Sequence, residues 1–311
     1  MHSSPLAVAV AATIAWAILL VATRVVLIRF EINAWGFTLV QLLTGGLAMM
    51  AFGRRATIAW ASLLSPSIWA YGALRVVSAG SASAALLYVT VMQDTLLAAM
   101  NVPLAALVLV VVTRQRLPGG QLLAHAIMIA GIAIMAFSLP GGLLNPAVLL
   151  EVIAECAVVA STLLIERHPE NRRDDIQARC LFTGTVLMVT AAMFILAWAI
   201  SGALGVSVGS NALAFGDFSQ LFASTDLLIA GALAGVLLRG PTMYLALLAV
   251  RLAGTQTYLA TLALLPFACL VFEAACALAG WLPWPALGPA EIASGLLVVC
   301  GSLLLVRLRS R

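Results

Sequence analysis

The chain has 311 residues, 63% of them hydrophobic and 9% charged, with a formal net charge of +4 and a mean hydropathy of +1.12. A composition this apolar excludes an ordinary soluble domain and fits a polytopic membrane protein. The positive charge argues for no nucleic-acid partner, because the arginines fall where they would orient membrane helices.

A bilayer is spanned by about 20 apolar residues, and ten such stretches are predicted: 6–28, 34–52, 62–88, 92–113, 120–139, 146–165, 177–200, 226–250, 255–279 and 288–306. They leave little outside the membrane, so the expected molecule is one all-α integral membrane domain, 1–311. The first stretch is too long, and too poorly flanked by positive charge, for a cleaved signal peptide. All sixteen basic residues are arginine. With a cytoplasmic N-terminus, twelve of them (Arg54, Arg55, Arg114, Arg116, Arg167, Arg172, Arg173, Arg179, Arg251, Arg307, Arg309 and Arg311) fall in inner loops and the tail, and Arg29 alone falls in an outer loop. The positive-inside rule then places both termini in the cytoplasm of a bacterial-type inner membrane. Arg24, Arg75 and Arg239 belong to no loop.

The first predicted helix carries Trp16 in its middle and Arg24 eight residues later, close enough to the outer surface for its head to snorkel. In the second, Gln41 is a polar group at depth and needs a partner across a helix interface or in a cavity. The third holds Arg75 deep in an apolar run, with Tyr71 four residues before it and Ser78 three after, on one face. A charge at the bilayer centre costs roughly 2.5–3.5 kcal/mol even on the lenient insertion scale, which makes such a residue a functional candidate. Small residues over 78–84 let neighbouring helices approach.

In the fourth predicted helix Asp94 stands at the outer mouth, and Asn101 and Pro103 at mid-depth. Pro103 removes one backbone donor and frees a carbonyl. The fifth helix holds a single histidine, His125, read as structural. The Pro/Gly-rich segment 138–146 divides the chain into repeat one, 1–140, and repeat two, 146–311.

The sixth predicted helix places Glu151 and Glu155 one turn apart on one face. Glu151 is read as reaching the outer interface; Glu155 lies deeper, where a carboxylate either takes a proton or pairs with an arginine. The charged loop 166–177 reads as a solvated turn, and 201–225 is long enough for a partial cap over a cavity. In the eighth helix Gly231, Gly235 and Arg239 recur every four residues, so the arginine continues a close-packing face. Pro241 leaves the Leu237 carbonyl without its helical partner, which predicts a kink or opening beside the buried charge, the pattern at which transporters bind substrate. Tyr244 follows. The ninth helix brings Gln256, Tyr258, Pro266 and Glu273, the last near the outer end, and Trp281 and Trp284 suit an outer interface.

Five cysteines without a CxxC pair and three scattered histidines build no metal site. No HExxH, CxxC or clustered aspartate motif is present, so neither an enzyme nor a cofactor is expected.

Stretches 92–139 and 255–306 match in outline: an apolar helix with one proline, Pro103 or Pro266, a Pro/Gly-rich connection, then a helix with glycine near its end, Gly131 or Gly301. Arg75 and Arg239 precede those prolines by 28 and 27 residues. Five helices per repeat is an odd number, so the second repeat would be inverted in the membrane, with a binding site between the halves. On Trp16 with a basic residue eight later, the two prolines, and the helix-end patterns QRLPGGQLLAHAIMIAG and LGPAEIASGLLVVCG, the chain resembles the EamA-type drug/metabolite transporter superfamily over its full length. The resemblance implies ten helices in two inverted five-helix repeats, a central cavity, and transport of small metabolites, commonly export. Many relatives carry an arginine where Gln41 stands and an aromatic near Cys156. Arg75 and Arg239 lie outside the general family pattern and point to a substrate with a negative group.

The leading expectation is a secondary transporter for a small organic anion or zwitterion. Arg75 and Arg239 would take its acidic group by forked hydrogen bonds, with Trp16, Tyr71, Gln41, Asn101 and Tyr244 as further contacts and Glu155 or Asp94 carrying a coupling proton. The competing structural reading pairs both arginines with Glu155, Asp94 or Glu273. A flippase for a lipid-linked or phosphorylated compound is the alternative function, marked by a cavity that opens sideways to lipid. The protein would act as a monomer or homodimer.

Overall fold

Caps, prolines and glycines set the helix ends along this chain. The computed structural model describes residues 4–58, 60–114, 117–166, 168–203, 224–285 and 287–309, so the expected cap over 201–225 lies mostly outside the described residues. Helix α1 (Pro5–Arg29) starts where the Ser4 hydroxyl accepts the Ala7 N–H, and α2 (Ala34–Phe52) where the Asn33 side chain accepts the Gly36 N–H. A one-turn helix α3 (Trp60–Leu63) precedes α4 (Pro66–Ala85), so the predicted span 62–88 begins later than expected, at a proline in the first helical turn.

The predicted span 92–113 is two helices, α5 (Val91–Ala98) and α6 (Asn101–Thr113), separated at Ala99–Met100. Thr90 and Gln93 form a capping box that starts α5. Pro103 sits in the first turn of α6, where its missing N–H would have had no helical acceptor, so the proline starts a helix here. Then follow α7 (Gly119–Ser138), α8 (Pro146–Glu166) and α9 (Ile176–Ala203).

Beyond it lie α10 (Thr225–Ala234), a π-turn at Gly235–Arg239, and α11 (Gly240–Leu262). The boundary predicted between 250 and 255 is a kink: Gly254 adopts φ 80° inside α11, a conformation open to glycine. The chain breaks at Ala263–Leu264 instead, before α12 (Leu265–Leu278), with Pro266 in its first turn. Prolines 103 and 266 thus stand in equivalent places after a break. Helix α13 (Pro289–Arg309) closes the chain, and no strand occurs among the described residues.

Eight helical stretches among the described residues are long and apolar enough to cross a membrane, with α5 continuing into α6 and α10 into α11. Helix α12 is apolar but only 14 residues long. Large apolar side chains such as Leu107, Val111, Leu122, Phe137 and Val271 are more than half exposed on the outer surface, as lipid contact demands and water forbids. The chain therefore has the character of an all-helical, multi-pass membrane protein.

The main packing pairs are α1 with α11, α2 with α9, α4 with α8 and α7 with α13, while α5 lies against α12. Helix α2 is the most enclosed: Phe37, Leu39, Gln41 and Leu42 are buried, and α2 also packs against α4, α10 and the π-turn. The largest core cluster surrounds it with residues of α4, α5, α7, α8, α9 and α10. Buried polar groups have no water to turn to in such a setting, so their partners decide what each does.

Candidate functional site

Immediately before Pro241, where the sequence predicts a kink or opening, the helix departs from regular α geometry. The chain widens into a π-turn in which the Gly240 N–H reaches the Gly235 carbonyl, five residues back, so the backbone stays bonded while the turn re-aims its side chains. Arg239 ends this turn, facing α2. The approach is close because a Cβ at Gly235 would stand 1.9 Å from Thr44 Oγ1 and 2.6 Å from the Gln41 carbonyl oxygen. The Gly231–Gly235 face read from the sequence is thus the contact with α2, and it lowers Arg239 onto Gln41.

The Arg239 guanidinium donates to Gln41 Oε1 through both Nε, at 3.0 Å, and Nη2, at 2.6 Å. The Gln41 amide in turn donates to Thr23 Oγ1 at 3.4 Å. Arg239 is 8% exposed and Gln41 fully buried. The guanidinium carbon also lies 6.0 Å from the Trp16 ring centroid, within cation–π range, and Trp16 Nε1 donates to the Tyr258 hydroxyl at 3.0 Å. Arg239, Gln41, Trp16 and Tyr258 therefore form one polar group drawn from α1, α2, the π-turn and α11.

Among the described residues, neither Arg239 nor Arg75 has a carboxylate within 4 Å. Arg75 is half-buried and within electrostatic range of Arg239, Tyr258 and Glu155. Arg75 is thus a second cation within electrostatic range of the group, and among the described residues the side-chain acceptor for Arg239 is a neutral amide.

The ion pair goes to the arginine that the sequence reads as snorkelling. Arg24 is 8% exposed and bonds Glu273, which is 1% exposed. Glu273 also accepts the backbone N–H groups of Val91, at 2.9 Å, and Met92, at 3.2 Å. It therefore caps α5 and ties α1, α5 and α12 together. Neither side chain is exposed as a snorkelling one would be, because each finds its partner across the helix packing, 249 residues away in sequence.

Beside this pair lie three more acids. Asp94 on α5 is 3% exposed, and on α8 Glu151 is fully buried and Glu155 is 6% exposed. Glu151, expected nearer the interface, is the most enclosed of them. Its side chain lies within hydrogen-bonding reach of Asp94, and that of Glu155 within reach of Asn101.

Two tyrosines stand apart from the central group. Tyr71 packs with Ile68, Phe182 and Val186 against α9. Tyr244 packs on Phe52 at the C-terminal end of α2, with ring centroids 5.4 Å apart. Tyr258, not singled out as a site residue from the sequence, is the tyrosine that joins the group, through Trp16. Its signal was present in the sequence only as a polar aromatic at depth.

Two cavities lie elsewhere, and neither is lined by Arg239, Gln41, Trp16 or Tyr258. One of about 180 Å³ runs beside both helix breaks, lined by Thr95, Ala99, Asn101, Leu262, Pro266 and Ser302 among others. The other, about 680 Å³, is an apolar groove lined by Pro103, Leu107, Leu122, Ile129 and Val152 among others, on the lipid-facing side of α6, α7 and α8. In the loop between α8 and α9, burial lowers the pKa of His168 below its ordinary value, where it stacks on Phe182 at 5.1 Å. Among the described residues no group of three or more acids, histidines or cysteines is arranged to hold a metal.

No family model matches the chain, and no curated protein matches it. Solved structures do. One, described only as the crystal structure of a protein, shares 17% identity over the full length of both chains with a TM-score of 0.58, a likeness of fold alone.

Proposed function

We propose that the protein is a secondary transporter of EamA-like, drug/metabolite type that moves a small organic anion or zwitterion, such as an amino-acid-like compound, across the inner membrane. In this reading its termini are cytoplasmic, it works by alternating access without catalysing a reaction, and it exports its substrate. The observation that carries this reading is a buried Arg239 whose hydrogen-bond acceptor is the neutral Gln41, with a second cation, Arg75, nearby. A guanidinium out of water is stable when an anion meets it. A substrate carboxylate or phosphate would complete the set by bidentate bonds, with Trp16 and Tyr258 against its body.

The helix pairing supports alternating access. Exchange of the two five-helix halves would map the α1–α11 pair onto α8–α4 and would leave the α2–α9, α7–α13 and α5–α12 pairs unchanged, and these are the pairs observed. The breaks before Pro103 and Pro266 are related in the same way. Two halves related about such an axis can rock around a central site, and the broken helices supply hinges.

Thermal-shift measurements on the purified protein against amino acids, carboxylates, phosphorylated metabolites and neutral or cationic compounds test the proposal. Stabilisation by an anion or zwitterion, lost in Arg239→Gln with the fold intact, is expected. Stabilisation by neutral or cationic compounds alone would sink it. The apolar groove beside Pro103 favours a second reading, a flippase whose substrate leaves a chain in lipid. Movement of a lipid-linked compound between leaflets by proteoliposomes, with no transport of soluble anions, would select that reading.

A further inference from the structure

Asp94 and Glu151 meet across the interface between α5 and α8, their carboxyl groups within hydrogen-bonding reach. Glu151 is fully enclosed, and neither of its oxygens has a protein donor; one oxygen of Asp94 is likewise without one. The charged groups acting on them come from α1, α12, α8 and α4; α5 also packs against α7, which carries the buried His125, and α13, whose Glu291 accepts from Gln93. From α1, Arg24 is bound to Glu273. From α12, Glu273 is spent on Arg24 and on the Val91 and Met92 N–H groups, and Cys269 is a buried thiol. On α8, Glu155 stands one turn beyond with Asn101 as its partner, and from α4 Arg75 lies nearest to Glu155. Among the described residues no cation comes within 4 Å of Asp94, Glu151 or Glu155.

Two carboxylates cannot touch in a dry interior while both are charged. One proton turns that repulsion into an O–H···O⁻ hydrogen bond, which is short and strong. We infer that Asp94 and Glu151 form a proton-binding site, in which Glu151 holds the proton and donates to Asp94, and that this proton is the coupling ion of transport. Its position explains how binding would move the protein. Asp94 lies on α5, one turn before the break at Ala99–Met100, so loss of the proton drives α5 and α8 apart at a hinge. Asn101, just beyond that break, is the partner of Glu155, so the same displacement reaches the side of the molecule where Arg75 and Arg239 lie.

The proton site stands on the geometry of the pair, whereas its coupling role rests on the transporter reading; two measurements separate them. Infrared spectra of the full-length protein in lipid at neutral pH should show the C=O stretch of a protonated carboxylic acid, shifted on exchange into D₂O. Glu151→Gln and Asp94→Asn should remove it, and Glu155→Gln should keep it. No such band in the wild type, or a band unchanged in Glu151→Gln, overturns the site. Circular dichroism of each variant checks that the helices are intact, and Gln at 151 can still donate to Asp94. In proteoliposomes with a trapped pH dye, movement of a labelled amino-acid mixture should change the luminal pH. Glu151→Gln should keep labelled exchange while proton movement falls at least tenfold. Amino-acid movement with no luminal pH change in the wild type overturns the coupling. No amino-acid movement at all counts against the transporter reading for that class, and the infrared result then still decides the proton site.

Discussion

Arg24 and Arg239 are equally buried, each 8% exposed, yet one meets a carboxylate and the other a carboxamide. Arg24 is neutralised by Glu273, which also caps α5, so its charge is consumed in holding three helices together. Arg239 is held in place by Gln41 without being neutralised. The contrast lies in what each leaves over: the first has no charge to offer, and the second keeps its charge inside the protein. Natural interiors rarely tolerate the second arrangement unless something uses it.

The sharpest way to break the comparison is at Glu273. Glu273→Gln leaves Arg24 charged and without its anion and weakens the cap on Val91 and Met92. Removing one partner of a buried pair destabilises by about 3–5 kcal/mol, to be measured by equilibrium unfolding in detergent. The double variant Arg24→Met/Glu273→Leu should recover part of that loss, since no charge then remains buried, though not the part due to the helix cap. A single-variant loss below about 1 kcal/mol, as for an exposed pair, would erase the distinction drawn between the two arginines.

A smaller effect should follow from pushing Arg239 off its seat without touching its charge. In Gly235→Ala the new methyl meets Thr44 Oγ1 at 1.9 Å, with backbone atoms of Gln41 and Gly45 at 2.6 and 2.9 Å. Overpacking of this kind costs about 1–3 kcal/mol, and it should weaken anion binding as well, because α2 and the π-turn separate. Thr44→Ala added to it should restore only part of the stability, the two backbone contacts remaining.

Much of this molecule is legible from hydropathy, which marks each apolar run, and from single polar residues at depth. Gln41, Arg239 and Trp16 stand out one by one in the sequence; that they touch does not, because Gln41 and Arg239 are 198 residues apart and no helical period encodes which face meets which. Arg24 and Glu273 depart from expectation for a different reason. Distance from a helix end does not fix exposure, because a side chain near an end is free to turn inward when a partner of opposite charge waits there, as Glu273 does for Arg24. Tyr71 and Tyr244 share the helix of an arginine, but helix membership fixes only direction, and their rings pack against Phe182 and Phe52. The π-turn was hidden because proline predicts a lost bond without saying how the backbone replaces it.

At Arg239 itself the expectation runs opposite to that at Glu273. Arg239→Gln removes a buried charge that has no anion, which offsets the loss of two hydrogen bonds to Gln41. Its stability should therefore stay within about 1 kcal/mol of wild type, near the net worth of a typical hydrogen bond, while stabilisation by anions disappears. A loss as large as that of Glu273→Gln would instead mean that Arg239 serves the fold as Arg24 does.

The smallest effect on anion binding is expected at Trp16, where the ring and its N–H can be separated. Trp16→Phe keeps an aromatic face 6.0 Å or so from the guanidinium but deletes the donor to the Tyr258 hydroxyl at 3.0 Å. The hydrogen bond is worth about 0.5–1.5 kcal/mol, and Tyr258, 9% exposed, keeps some access to another partner. Stability should fall within that range, with anion binding weakened only a few-fold because Arg239 and Gln41 are untouched. Trp16→Leu removes the aromatic face as well, and phenylalanine is a weaker cation–π partner than tryptophan, so binding should decline in the order Trp, Phe, Leu. Equal binding by all three would show that the ring is packing for α1 and α11, and that the anion is held by the arginines without it.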